Sequence, residues 1–380
     1  MNQLTPAGFA SPLLDHCPES LPAQWYFDQG QYARELKAIW SRHWNYAGRL
    51  ADFPLMTMRR LSVAEQNLIL VRDENGGLSC FHNVCPHRGS ELCSVAETQL
   101  KSKLITCPYH AWSFDLAGHL RRRPFVVETA DFNDANHGLF KVRVQLWNGL
   151  IFVCLAVEPP PFAEAPDLGM DALSHWPIAD LVTGHRLIKE LNCNWKVFWE
   201  NYNECLHCPG IHPELCEMVP VYGKGFMATS EMPGWSEGKG QDQHLKPGAR
   251  SWTMSGKACG VEFPELTAEE QLRGHTFVTL QPTCFVVAHV DYVRIVSLRP
   301  LGPERTELTA EWLFPEATLK APVFDLCEVT DFATMVMLQD AGACELNQRG
   351  LRSQAFKHGR LMPQEFDVHR FQNWVRNALA

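Results

Sequence analysis

Basic residues are in short supply in this chain. Its 380 residues carry 34 Lys and Arg against 43 Asp and Glu, a net charge of −9. That balance argues against a nucleic-acid binder, which would present a basic face. Apolar runs of about 18 residues are absent, so no membrane span is expected. Met1 to Pro22 lacks a basic stretch ahead of an apolar one and carries Asp15, His16 and Glu19. It reads as an irregular leader and not as a secretory signal. Two cofactor signatures are also missing: a Gly-x-Gly-x-x-Gly dinucleotide loop and the Cys-x₄-Cys-x₂-Cys run of plant-type ferredoxins. The chain shows no internal repeat and no low-complexity tract. What is there is 46% hydrophobic and 20% charged, the composition of a globular protein long enough for two or three domains. The 14 cysteines follow no disulfide-framework spacing. A reducing cytoplasm is therefore expected, with Cys154 and Cys284 as small buried hydrophobes.

Two cysteines read differently. Cys85-Pro86-His87-Arg88-Gly89 is followed by Cys107-Pro108-Tyr109-His110. Two thiolates and two imidazoles form a metal ligand set, for Zn²⁺ or for a [2Fe–2S] cluster in which histidines replace two cysteines on one iron. Zinc fingers space Cys with Cys and His with His, whereas here each Cys travels with its own His. That suits a cluster with Cys85 and Cys107 on one iron and His87 and His110 on the other. The motif, with Ala111-Trp112-Ser113-Phe114 after it, resembles the Rieske domain. Neutral imidazole ligands raise the potential of such a cluster to about −150 to +300 mV. It passes single electrons onward, so a second site is needed for chemistry.

The surrounding pattern predicts an amphipathic helix over Asp28–Arg42, then short strands from about Asn45 to Val157, among them Asn67–Val71, Leu78–Phe81 and Gly149–Cys154. Glu158-Pro159-Pro160-Pro161 marks a boundary. Beyond it we expect a helix near Trp195–His207, strands in Thr276–Ala288, Tyr292–Arg299 and Glu307–Phe314, and helices over about Phe324–Leu351 and Phe366–Ala378. The fold class is α+β. It comprises a leader and helix (1–44), an all-β unit (45–157) and an α+β catalytic unit with an antiparallel sheet and flanking helices (158–380).

The second informative stretch runs from Asn194 to Pro213. On a helix Glu200, Asn201, Glu204 and His207 would share one face. Pro209-Gly210 breaks the helix and lets His212 swing back towards His207. Two histidines and a distant carboxylate form the facial triad of non-haem Fe(II) oxygenases. Cys205 and Cys208 keep a zinc site open as an alternative. Asp325, Asp331, Asp340 and Glu345 compete as the third ligand.

Together the two stretches resemble the α subunit of Rieske non-haem iron ring-hydroxylating oxygenases, over about residues 20–378. Glu204, and the tail Gln339-Asp340-Ala341-Gly342-Ala343-Cys344-Glu345 with Gly359-Arg360-Leu361, look most like the choline, glycine betaine and carnitine monooxygenase and betaine demethylase group. The resemblance implies Asp340 as third ligand of a mononuclear Fe(II), beside one [2Fe–2S] cluster. It implies a flavin- or ferredoxin-type reductase as partner, O₂ as co-substrate, and a homotrimer or a hexamer of stacked trimers. In such a ring Glu204 would bridge His207 to His110 of the neighbouring subunit. One departure is Leu206, where the family often has Tyr; this concerns pocket shape. Trp199, Tyr202, Trp235, Trp252 and Phe277 could cage a quaternary ammonium by cation–π attraction, or be core, or wall a pocket for a flat aromatic. The resemblance implies hydroxylation at an N-methyl carbon. Aromatic-ring hydroxylation and a pure electron carrier stay open as alternatives.

Overall fold

The computed structural model describes residues 12–162, 170–234 and 245–380. Trp235 lies outside the described residues. The N-terminal part is all β: β1 (Asn45–Arg49), β2 (Thr57–Val63), β3 (Gln66–Arg72), β4 (Leu78–His82), β5 (Glu97–Gln99), β6 (Leu104–Thr106), β7 (Ser113–Asp115), β8 (Leu120–Arg122), β9 (Lys141–Trp147) and β10 (Leu150–Cys154). Seven of these form one sheet in the order β1-β10-β9-β4-β3-β2-β5, and β6-β7-β8 form a small second sheet. β3 lies inside the larger sheet and is buried on both faces from Leu68 to Val71, which is why its sequence is continuously apolar.

The C-terminal part is α+β. Its sheet has the order β11-β15-β14-β13-β12, with β11 (Val182–Leu191), β12 (His275–Leu280), β13 (Cys284–His289), β14 (Val293–Gly302) and β15 (Arg305–Phe314), all antiparallel. The run expected as one strand over Thr276–Ala288 is a hairpin, because Pro282 has no N–H for a ladder and ends β12. The edge strand β11 escaped the sequence reading. It carries Gly184, His185 and Lys189 with one face in water, so its apolar signal is weak. Gly184 sits at its bulge, where a Cβ would lie 2.7 Å from the Phe314 ring.

Eight helices complete the described fold: α1 (Gln29–Glu35), α2 (Trp195–Tyr202), α3 (Cys208–Ile211), α4 (Pro213–Met218), α5 (Ala268–Arg273), α6 (Glu316–Lys320), α7 (Leu326–Leu351) and α8 (Phe366–Leu379). Asp28 caps α1, and Asp325 caps α7 by accepting the Cys327 N–H. The helix expected to reach His207 stops at Tyr202. The Glu204 carboxylate accepts the backbone N–H groups of Leu206 and His207, offering the chain a local turn in place of another helical one.

One apolar core joins the two parts, from Leu68 and Val153 to Trp195, Phe285 and Trp312. A fully buried ion pair crosses it. Lys196 Nζ on α2 donates to both oxygens of Glu35 on α1, at 2.7 and 2.8 Å, and Trp195 Nε1 donates to the same carboxylate. The leader is ordered where described, since Ser20 N–H bonds the Gly359 carbonyl and Leu361 N–H bonds that of Pro18. No helix among the described residues is long and apolar enough to cross a membrane.

Candidate metal centres

The first centre is built from two loops of the same local design. In one, Cys85 N–H donates to the Ser90 carbonyl and Gly89 N–H to that of Cys85; in the other, Cys107 N–H donates to Trp112 and Ala111 N–H to Cys107. Each turn needs a left-handed residue at the fourth position after its cysteine, Gly89 at φ 76° and Ala111 at φ 57°. The turns aim both thiols inward and both imidazoles outward. Cys85 and Cys107 are buried and hydrogen-bond one another, while His87 is exposed. Burial pushes the Cys85 thiol up to about 11. Cys107 is also raised by burial, but backbone N–H groups of Tyr109 and His110 outweigh this and lower it. Those donors suit a thiolate or a cluster sulfur. The His87 and His110 rings stand 4.7 Å apart, and His87 stacks on Trp112 at 4.5 Å. A donor set with two adjacent thiols on one side and two imidazoles on the other fits a mixed Cys/His [2Fe–2S] cluster.

The second centre lies between α2, α3 and α7. His207 precedes α3, His212 follows it, and Asp340 projects from the middle of α7. Their ligand atoms all lie within 4.8 Å of one another. Nε2 of His212 is 2.9 Å and Nε2 of His207 3.4 Å from Asp340 Oδ1. A metal about 2.1 Å from each of three mutually perpendicular donors requires donor spacings of about 3 Å, so this set fits a facial triad. The far nitrogens are engaged too. His207 Nδ1–H donates to Glu204 Oε1 at 2.5 Å, and His212 Nδ1–H to Gln339 Oε1 at 2.8 Å. Both rings therefore present Nε2 to the shared point. Burial opposes charge on His207, but the hydrogen bonds it gives to Asp340 and Glu204 outweigh this and raise its pKa to about 9. Asn201 Nδ2 lies 3.4 Å from the same ring.

The competing carboxylates go elsewhere. Asp325 is a helix cap, Asp331 is exposed, and Glu345 accepts the Asn192 N–H. Cys205 and Cys208, which flank His207, are joined in a disulfide, so the zinc alternative loses its two thiolates.

A cavity of about 90 Å³ opens on the triad, lined by Phe198, Tyr202, Tyr222, Trp252, Phe277, Phe285 and Arg294 beside His207, His212 and Asp340. Tyr202, Trp252 and Phe277 are thus where a cage would need them. Trp199 is not. It is fully buried, gives Nε1–H to the Pro282 carbonyl and packs edge-on to Tyr202, so it backs the cavity wall without lining it. Leu206 does not line the cavity either. Sequence reasoning missed Gln339, Tyr222, Phe285 and Arg294; only Arg294 had a signal, a lone charge in the apolar run Val293–Val296. On the other side of His207 a cleft of about 300 Å³ exposes Glu204, Asn201, Asn347, Arg360 and Glu365.

Comparison with known proteins agrees with this geometry. Residues 178–380 match the ring hydroxylating alpha subunit (catalytic domain) family, and residues 43–133 match the Rieske [2Fe-2S] domain. The glycine betaine monooxygenase oxygenase subunit of Chromohalobacter salexigens is 29% identical over 95% of this chain and 86% of its own length. The carnitine monooxygenase oxygenase subunit of Acinetobacter pittii is 28% identical over 90% of this chain and 88% of its own. A solved structure of the quaternary ammonium Rieske monooxygenase CntA shares the fold, with a TM-score of 0.75 at 19% identity over 98% of this chain and 99% of that one.

Proposed function

The chain belongs to the ring-hydroxylating α-subunit family of Rieske oxygenases, and from that premise we propose that it hydroxylates an N-methyl carbon of a small quaternary ammonium compound. The observation that carries this reading is the small aromatic-walled cavity opening on His207, His212 and Asp340. Tyr202, Tyr222, Trp252, Phe277 and Phe285 offer π faces to a trimethylammonium group. A cavity of about 90 Å³ admits a compact substrate and suits a fused aromatic poorly. Relatives that act on glycine betaine and carnitine point the same way.

In this reading Cys85, His87, Cys107 and His110 hold the cluster, and His207, His212 and Asp340 hold the iron. The two groups, when bound, supply single electrons and O₂-dependent C–H hydroxylation. The chain's own residues do the positioning. Glu204 and Gln339 fix the Nδ1 protons, so both Nε2 atoms stay available to the metal. The aromatic wall excludes water and turns one N-methyl towards the iron. The hydroxymethyl ammonium that forms releases formaldehyde and a proton, leaving a tertiary amine.

Electrons come from a separate reductase, since this chain carries neither dinucleotide loop nor ferredoxin run. We read residues 45–157 as the relay and 158–380 as the catalytic unit, assembled as a homotrimer or stacked trimers. The cleft beside Glu204 gives a neighbouring subunit's cluster a place to approach. The test is O₂ uptake by the purified, iron-loaded protein with a surrogate reductase. Glycine betaine and other N-methyl ammonium compounds should give formaldehyde in step with O₂. Coupled turnover of a neutral aromatic, with no formaldehyde from any ammonium compound, would overturn the reading.

A further inference from the structure

The cavity wall holds a cation with no partner. Arg294, on β14, is 5% exposed, and its Nε has no acceptor. Other arginines of the same sheet are paired: Arg186 with Glu311, Arg299 with Glu307 and Arg305 with Glu190. Among the described residues none forms an ion pair with Arg294. Its neighbours are neutral: Trp252, whose ring centroid lies 6.0 Å from the guanidinium carbon, and the tyrosines Tyr202, Tyr222 and Tyr292. Asp340 acts on it from the metal end of the cavity but is already held by His207 and His212. A second donor in this wall, Trp252 Nε1, is likewise buried without an acceptor.

Burying an unpaired charge is costly, and a guanidinium does not shed its proton to escape that cost. An unmatched buried donor in a native structure calls for an explanation. Here both belong to residues that line the aromatic cavity beside His207, His212 and Asp340. They are matched when an acceptor-only anion enters with the substrate. A planar carboxylate fits the guanidinium fork with two parallel hydrogen bonds. The same cation repels a ligand that brings only positive charge.

We propose that Arg294, with Trp252 Nε1 beside it, receives a carboxylate of the substrate, so that the enzyme selects zwitterionic ammonium carboxylates over cationic ammonium alcohols. The ammonium half of this statement rests on the N-methyl reading above; the carboxylate half does not. The substrate lies with its anionic end on β14 and its methylated nitrogen towards His207, His212 and Asp340.

The experiment is anaerobic equilibrium binding to the unreduced, metal-loaded protein with four matched probes: glycine betaine, choline, 3,3-dimethylbutyrate and 3,3-dimethylbutanol. The first two carry the ammonium and the last two replace it with carbon. Wild type should bind each carboxylate at least about thirtyfold tighter than its alcohol, the loss expected when a buried charge goes unpaired. Arg294→Gln should collapse that ratio to near unity, with choline bound as well as before or better, and Arg294→Lys should restore part of it. Equal binding of betaine and choline by wild type would overturn the proposal even if the variants failed to fold. So would an Arg294→Gln protein that weakens acid and alcohol alike. Binding of dimethylbutyrate with no binding of glycine betaine would overturn the N-methyl reading and leave Arg294 as a carboxylate anchor. Tight binding of both ammonium probes regardless of Arg294 would do the reverse. No binding of any probe would overturn both.

Discussion

His87 and His110 stand at the tips of two hydrogen-bonded turns, His87 exposed and stacked on Trp112. His207 and His212 lie at the ends of a short helix beneath α7, with His212 1% exposed and each ring gripped at both nitrogens. In the reading proposed above, the difference follows from what each pair must do. A one-electron relay needs an imidazole edge that a partner can approach. A site that turns O₂ on a C–H bond needs dry walls and rings that cannot rotate. The first pair is therefore made by local turns in an all-β frame, and the second by long-range packing.

The sharpest way to break that comparison is to remove a ligand from each side. Cys85→Ser and Cys107→Ser should lose the visible cluster spectrum completely, since a hydroxyl is a poor substitute for a thiolate. The mononuclear iron should remain, as counted by metal analysis. Conversely, His207→Ala, His212→Ala and Asp340→Ala should lose that iron and turnover while keeping the cluster spectrum. Asp331→Ala, on an exposed face of the same helix, should do neither.

Glu204 is where the two regions would meet. Glu204→Ala should keep both metals and the cluster should still be reduced. Its reoxidation by substrate and O₂ should slow by far more than the 10–100-fold, about, that a hydrogen bond behind a ligand is worth. Stopped-flow spectra decide it, and near-normal turnover would remove the bridging role. Gln339→Ala supplies the reference. Of the triad it supports His212, while its amide also donates to Glu214, so Fe(II) affinity or turnover should fall by about 10–100-fold, with cluster reoxidation otherwise normal.

The last effect bears on stability and leaves turnover aside; it concerns charge buried near α2. Glu200 accepts from Tyr26 and Gln372, and burial pushes its pKa up to about 7. An unfolded glutamate titrates near about 4.3, so the folded protein holds this proton more tightly. The stability it contributes is complete below about pH 4 and is lost as pH rises through about 7. Glu200→Gln should therefore gain on wild type by up to about 3 kcal/mol at pH 8 and differ little at pH 4, read as melting temperature against pH.

How much of this was legible in the chain depended on sequence distance. The Cys-Pro-His and Cys-Pro-Tyr-His turns carry their geometry within six residues, so the relay could be read outright. The pairing of His207 with His212 was also local, although the helix was drawn too long because Glu204 bonds the backbone that would have continued it. Asp340 came from resemblance: nothing in α7 distinguishes it from Asp331 until the sheet and α2 set which face is covered. Trp199 and Tyr202 looked equivalent as aromatics, yet packing sends one into the core and the other to the cavity. Gln339 stood in the tail that carries the resemblance, but nothing in the sequence marked it as the partner of His212.

Adjacent residues of α7 serve opposite ends of one ring, Gln339 on Nδ1 of His212 and Asp340 on Nε2. An α-helix turns about 100° per residue, so inserting or deleting a single residue between Leu326 and Gln339 would rotate both away together. Single substitutions in the cavity wall leave the register of α7 untouched. The length of α7 cannot drift in that way. If Asp340 is the third ligand, descendants of this chain are free to change what they oxidise by substitution, whereas the helix that carries it must keep its residue count.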